Sequence, residues 1–314
     1  MSDKFLIDKD RFQKRSVTFD EPKPNYNVFA KNKAITYALL IGFFMLLCAF
    51  FFEKSKPLIN LIPLLRGEVS LENGYVITTI QNQYPLLIRK NDPFIGTQLR
   101  YSGNINSVFS EAAEYICAAN DSIVEVGAYF GFNTIRLGKK LNSHGKIYAF
   151  EPNSDVFSCL RKSIYLNGLE NVIELRNSAL SDQNGDCSIT DVTTLSRKEN
   201  GELNKGEDRI VHCQTLDNAM KGHKISLLLI DLPGQEFTII NHAHELIEKS
   251  DTLKILVSFK DSGAYGSEEQ TLDYLISKGY ICYYVTAGPH FEQIDKTEIM
   301  KKCDGVLLFT KNKL

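Results

Sequence analysis

A chain of 314 residues, 43% of them hydrophobic and 24% charged, holds enough apolar material for one large folded domain or two small ones. Its formal net charge of −2 gives no global electrostatic reason to expect a nucleic-acid partner. The seven cysteines never fall at the close C-x-x-C spacing of a zinc ribbon or redox pair, so no metal is expected.

Residues 1–33 are polar, rich in charge and interrupted by Pro22 and Pro24, the composition of a tail without fixed structure. Ala34 to Phe52 reads AITYALLIGFFMLLCAFFF, an uncharged apolar run long enough to cross a bilayer as a helix. A cleaved signal peptide would carry a shorter apolar region nearer the N-terminus and a small-residue cleavage site. Here a polar tail precedes the run and bulky FFFEK closes it. Lys14, Arg15, Lys23, Lys31 and Lys33 lie before the span, against Lys54, Lys56 and Arg66 beyond it. By the positive-inside rule this predicts a single-pass membrane protein with a cytosolic tail and its large domain outside the cytoplasm, as in the ER or Golgi lumen. Residues 53–90, with Pro57, Pro63, Pro85 and a strand candidate at Tyr75–Ile80, read as a stem leading into that domain. The six cysteines beyond the span permit disulfides in such a compartment, while Cys117 and Cys159, on helix-like segments, suit buried thiols.

From residue 91 to 314 strand and helix patterns alternate. Helices are predicted at Val108–Cys117, Asn133–Leu141, Ser154–Asn167, Glu236–Lys249 and Ser267–Lys278. Strands are predicted at Ser122–Val126, Lys146–Phe150, Val172–Arg176, Ile189–Val192, Ile225–Ile230 and Lys254–Phe259, with a polar loop over Leu195–Asp208. Strands apolar throughout, alternating with amphipathic helices, mean an α/β fold whose parallel sheet is covered on both faces. Two final strands, Tyr280–Val285 and Gly305–Thr310, can form a hairpin on its edge.

In such sheets ligands bind beyond the carboxyl ends of the strands. The first core strand ends in SIVEVGAYFG, placing Glu125 ahead of Gly127 and Gly131, and the next ends in AFEP with Glu151. An acid about twenty residues beyond the last glycine is the spacing of a carboxylate that grips a ribose. The dinucleotide fingerprint, however, is three glycines that bring backbone against a pyrophosphate. Here the pattern is E-x-G-x-x-x-G, and an acid before the loop disfavours a diphosphate. A phosphate-free cationic nucleoside fits better, and S-adenosylmethionine is one.

The stretches NDPFIGTQLRYSG, SIVEVGAYFGFNTIRLG, GKIYAFEPNSDVFSCLRKSIYLNGLENV and NSALSD resemble the FkbM-type methyltransferases. That resemblance, densest over Ile123–Asp182, implies a class I (Rossmann-like) S-adenosylmethionine-dependent methyltransferase with a seven-stranded sheet, mostly parallel, its last strand antiparallel. It implies Glu125, Gly127 and Gly131 at the methionine end, Glu151 on the ribose, Asn153 beside ribose and adenine, and Ser178 with Ala179 at the adenine rim. Several members methylate sugar hydroxyls. Two departures fall on the acceptor side: Pro233 in DLPGQE, where relatives carry an acid, and Ser258 in ILVSF, where a glutamate is common.

Methyl transfer to an alcohol is helped by a base that removes the hydroxyl proton. Asp231, at a strand's carboxyl end, is the first candidate; Glu236 is the second, or else a helix N-terminal acid interacting with the dipole. His242 and His244 alternate on a predicted helix and so cannot share an ion. The expectation is a membrane-anchored, metal-independent O-methyltransferase acting on a glycan hydroxyl. The competing expectation, motivated by Pro233 and Ser258, is a catalytically silent membrane protein that keeps the fold and serves in binding or trafficking.

Overall fold

The computed structural model describes residues 62–105, 107–191, 206–232, 234–260, 265–301 and 304–314. The tail, the apolar run Ala34–Phe52, Pro233, Cys48, Cys303 and most of the loop expected at Leu195–Asp208 lie outside the described residues. Among the described residues no helix is long and apolar enough to cross a membrane.

Five strands lie parallel along one side of an eight-stranded sheet: β4 (Ser122–Val126), β5 (Lys146–Phe150), β6 (Ile173–Arg176), β10 (Leu227–Ile230) and β11 (Lys254–Lys260). Successive residues of a strand point to opposite faces, and both faces are filled here. Ile123, Ile147, Leu227, Leu229 and Leu256 enter one apolar cluster, while Val124, Val126, Phe150, Leu228 and Val257 enter the other. The first cluster is covered by α3 (Val108–Ile116), α4 (Phe132–Lys140) and α5 (Ser154–Leu166). The second is covered by α6 (Leu216–Ala219), α7 (Glu236–Ile240), α8 (His244–Lys249) and α9 (Tyr265–Ser277).

The strand order is β13-β12-β14-β11-β10-β4-β5-β6, with β12 (Ile281–Thr286), β13 (His290–Ile294) and β14 (Asp304–Thr310) completing the sheet. The last strand, β14, runs antiparallel between β11 and β12, as expected. Two expectations need correction. The sheet has eight strands, because Phe291 to Ile294 return along β12 as a further edge strand. The two predicted final strands, β12 and β14, do pair antiparallel, but they lie inside the sheet and β13 takes the edge. Because β5 and β6 lie to one side of β4 and β10 and β11 to the other, the chain switches direction between β4 and β10, leaving a crevice at their carboxyl ends.

Residues 62–90 are not a stem. After α1 (Ile62–Leu65), strands β1 (Val69–Ser70), β2 (Tyr75–Ile80) and β3 (Tyr84–Arg89) form an antiparallel sheet. The amide of Leu87 donates to Ser163 Oγ on α5 at 2.9 Å, and Asn167 Nδ2 donates to Pro85 O at 2.8 Å. Val76, Ile80, Leu86 and Ile88 are wholly buried in the first cluster. Of the prolines that suggested a linker, Pro63 sits at a helix start and Pro85 on an edge strand, where a missing amide donor costs nothing, and Pro57 lies outside the described residues. Next, α2 (Gly96–Ser102) is tied to β1's approach by Arg100, whose guanidinium bonds both oxygens of the buried Glu68 at 2.7 and 3.0 Å.

A third small sheet, β7 (Ala179–Leu180), β9 (Glu207–Gln214) and β8 (Gly185–Asp191), stands beside the crevice. A disulfide joins Cys187 of β8 to Cys213 of β9. Cys117, Cys159 and Cys282 are buried free thiols.

Candidate active site

The first acid, Glu125, is buried at the end of β4, and Thr134 Oγ1, in the first turn of α4, donates to its Oε2 at 2.7 Å. Beyond it the backbone enters the left-handed region at Gly127 (φ +78°) and again at Gly131 (φ +93°). A Cβ on Gly127 would stand 2.7 Å from Leu232 Cδ2, and one on Gly131 only 2.3 Å from Leu160 Cδ1. Both positions therefore need glycine for conformation and for space. The amides of Gly127 and Ala128 donate to Phe150 O at 3.1 and 3.0 Å, stitching the loop to the end of β5.

Between the glycines, Tyr129 also takes a positive φ, +50°. A bulky residue there is strained, and two contacts hold it. Its amide donates to Glu151 Oε2 at 2.9 Å, and its hydroxyl donates to Asp92 Oδ2. Asp92, 2% exposed, uses Oδ1 to accept from the amides of Phe94, Ile95 and Gly96 where α2 begins. A continuous path thus runs from the N-terminal segment through Asp92 and Tyr129 to Glu151. Glu151 Oε1 accepts from Asn153 N at 2.8 Å, and Asn153 Oδ1 caps α5 by accepting from Asp155 N and Val156 N. Asn153 Nδ2 is buried with no partner among the described residues.

These groups open onto a cavity of about 1000 Å³ at the switch point. Of the residues singled out in the sequence, Glu125, Gly127, Glu151, Asn153, Ser178, Ala179 and Asp231 line it. Ser178 Oγ accepts from Gln214 Nε2 at 3.0 Å, which fixes that rim to β9. Gly131 and Glu236 are not in the wall. Gly131 caps α4, and Glu236, 1% exposed at the start of α7, accepts from Gly234 N at 2.8 Å. His242 and His244 have separate partners, Thr238 O and the Tyr274 ring.

Burial shifts the acids. It pushes Glu125 up to about 8, with the Thr134 hydroxyl opposing the rise and Asp231 adding to it. Asp231 is also raised by burial, while a hydrogen bond from the Ser258 side chain opposes the rise. The register sets Ile230 against Val257, so Asp231 and Ser258 are neighbours just past the paired strands. Glu236 is pushed up to about 7 by burial, with Glu268 and Asp231 contributing.

The cavity wall also contains groups not singled out from the sequence. Phe94, Ile105 and Ser107 come from the segment before β4, Cys187 and Ile189 from β8, and Lys260 from the end of β11. Asp92 carried a local signal, an acid before Pro93 and a helix start, which marks a cap. Its bond to Tyr129, thirty-seven residues away, carried none.

The model of the methyltransferase FkbM domain matches residues 125–282, from the first acid of the site into β12. The chain belongs to the FkbM methyltransferase family. As a methyltransferase domain it has fold neighbours among solved structures. Pyrococcus horikoshii TYW2 in complex with MeSAdo is 11% identical with a TM-score of 0.44, over 77% of this chain and 74% of that one. An rRNA methylase from Streptococcus thermophilus is 12% identical with a TM-score of 0.39, over 65% and 94%. Cofactor-bound Rv0187 from MTB is 15% identical with a TM-score of 0.38, over 65% and 78%. At these identities and scores none bears on this FkbM protein's activity. No curated protein matches the chain.

Proposed function

We propose that this FkbM-family protein is an S-adenosylmethionine-dependent O-methyltransferase, anchored in a membrane by Ala34–Phe52, that modifies a glycan hydroxyl. The observation that carries the cofactor reading is the pairing of two buried carboxylates, Glu125 and Glu151, across a glycine loop that lines a cavity of about 1000 Å³. A nucleoside fits this donor set. Glu151 is oriented by two backbone amides, and a carboxylate oxygen can accept more than one hydrogen bond, which binding a ribose hydroxyl requires. Asn153 Nδ2 offers a buried donor beside it. Glu125, neutral at pH 7 by its raised pKa, regains its charge beside a cation.

When bound, the cofactor supplies a methyl group activated by the sulfonium. The chain's part is to align the acceptor oxygen, keep water out and take one proton. Asp231 lines the same cavity at the end of β10, its pKa raised by burial and its carboxyl bonded by Ser258. Ser258, one of the two departures that favoured a silent protein, thus bonds the candidate base itself. The lumenal setting is supported by the Cys187–Cys213 disulfide, a bond that persists in oxidising compartments. The glycan acceptor is supported by the family resemblance and by this setting.

Methyl transfer from labelled S-adenosylmethionine to a panel of glycans, proteins and lipids, beside calorimetric titration of the cofactor, tests the reading. Transfer to glycans is expected. A folded protein that binds no S-adenosylmethionine overturns it in favour of a silent binding protein. Transfer to proteins or lipids alone overturns the acceptor.

A further inference from the structure

The first ten described residues carry an unusual surface. Ile62, Leu64, Leu65, Val69 and Leu71 are all exposed, Leu65 to 85% and Leu64 to 59%. Elsewhere among the described residues exposed large apolar side chains are scattered along the chain, and a cluster of them marks an interaction site. Both charges of the segment are engaged inward. Arg66 donates to Thr79 O at 2.7 Å and to Asn82 Oδ1 at 3.0 Å, and Glu68 is buried in its double bond to Arg100. The outward surface of α1 and β1 therefore meets an apolar medium with Glu68 ion-paired to Arg100 and Arg66 hydrogen-bonded to two neutral oxygens.

We infer that the α1–β1 surface seats the domain on the lipid bilayer. The inference rests on the membrane span proposed above. Nine residues, 53–61, separate Phe52 from Ile62, and fully extended they reach about 30 Å. A span ending at Phe52 thus gives the patch a tether no longer than this. The connecting residues include Lys54 and Lys56, which suit the headgroup layer. The polar tail, residues 1–33, is on the far side of the bilayer in this topology.

The absence of tryptophan makes the test direct. Leu65→Trp places a single emitter in the patch, and Ile276→Trp places one at an exposed position on α9, which covers the other face of the sheet. The full-length variants are reconstituted in phosphatidylcholine vesicles with and without brominated acyl chains. Both are expected to float with the vesicles. Bromolipid is expected to remove most of the Leu65→Trp emission, which is also blue-shifted, and to leave Ile276→Trp unchanged. Flotation with equal, unquenched emission from both leaves the anchor standing and overturns the docking surface. A Leu65→Trp shielded from both bromolipid and aqueous iodide means that protein covers the patch, and overturns it as well. A chain that does not float refutes the anchor, and the docking surface with it.

Discussion

Tyr129 is the residue on which most of the site's geometry converges. Its strained backbone, its amide on Glu151 and its hydroxyl on Asp92 make it a clasp between the cofactor loop and α2. Tyr129→Phe keeps the ring against Phe130 and removes one bond to a buried carboxylate. We expect S-adenosylmethionine binding to weaken roughly tenfold, the worth of such a bond, with a smaller change in kcat. Titration calorimetry and a separated KM and kcat check this, and Asp92→Asn should behave alike. Glu125 makes a second prediction. Its carboxyl is raised from an ordinary 4.5 to about 8, so the folded protein holds a proton that the unfolded chain has lost. Its contribution to stability is full below the unfolded pKa and is lost as pH climbs through the folded one. The cofactor-free protein should therefore lose thermal stability between pH 4.5 and 8, and Glu125→Gln should flatten that slope. Glu236, raised to about 7, acts in the same direction, so adding Glu236→Gln should flatten it further. At this scale the sequence was informative about charge and spacing. Glu125, Glu151 and Asp231 stand at strand ends because hydrophobic runs end there. Gly131 and Glu236 are near the site in sequence but lie outside the cavity wall, a matter of how the helix starts pack that local pattern does not set.

The elements divide by how they are buried. Strands β4, β5, β10 and β11 are covered on both faces, so their apolar runs announce them. Strand β9, EDRIVHCQ, has most of its residues exposed or half-exposed and pairs with β8 in a small outer sheet, so it reads as loop. The predicted helix Glu236–Lys249 is broken at His242 and Ala243 without glycine or proline. The break has a remote cause: both oxygens of Asp217 accept amides of α8, from Glu245 and Leu246, at 3.0 Å each. Asp217→Ala should destabilise the protein by about 1 kcal/mol, the loss of a helix cap, measurable by denaturant unfolding. The disulfide between β8 and β9 closes a loop with a sequence separation of 26. Replacing both cysteines by serine should cost about 3 kcal/mol, and reducing the wild-type protein should cost the same.

For the whole molecule, the sequence carried the doubly wound order and the antiparallel last strand, the latter through family likeness. It did not carry the packing of residues 62–90, because prolines and short alternating runs describe a linker and an edge sheet equally well. Topology is decided on the intact chain: in sealed microsomes a C-terminal tag should resist added protease until detergent is present, and digestion without detergent would put the domain in the cytosol. The position of the disulfide has a further consequence. Cys187 belongs to the cavity wall, while Cys213 precedes Gln214, which steadies Ser178 in the same wall. Thermodynamic reciprocity then links two equilibria. Whatever factor reduction takes from cofactor affinity, the bound cofactor must return as resistance of the bridge to reduction. The same two sulfurs thus report occupancy, and a midpoint potential measured with and without ligand reads the strength of cofactor binding.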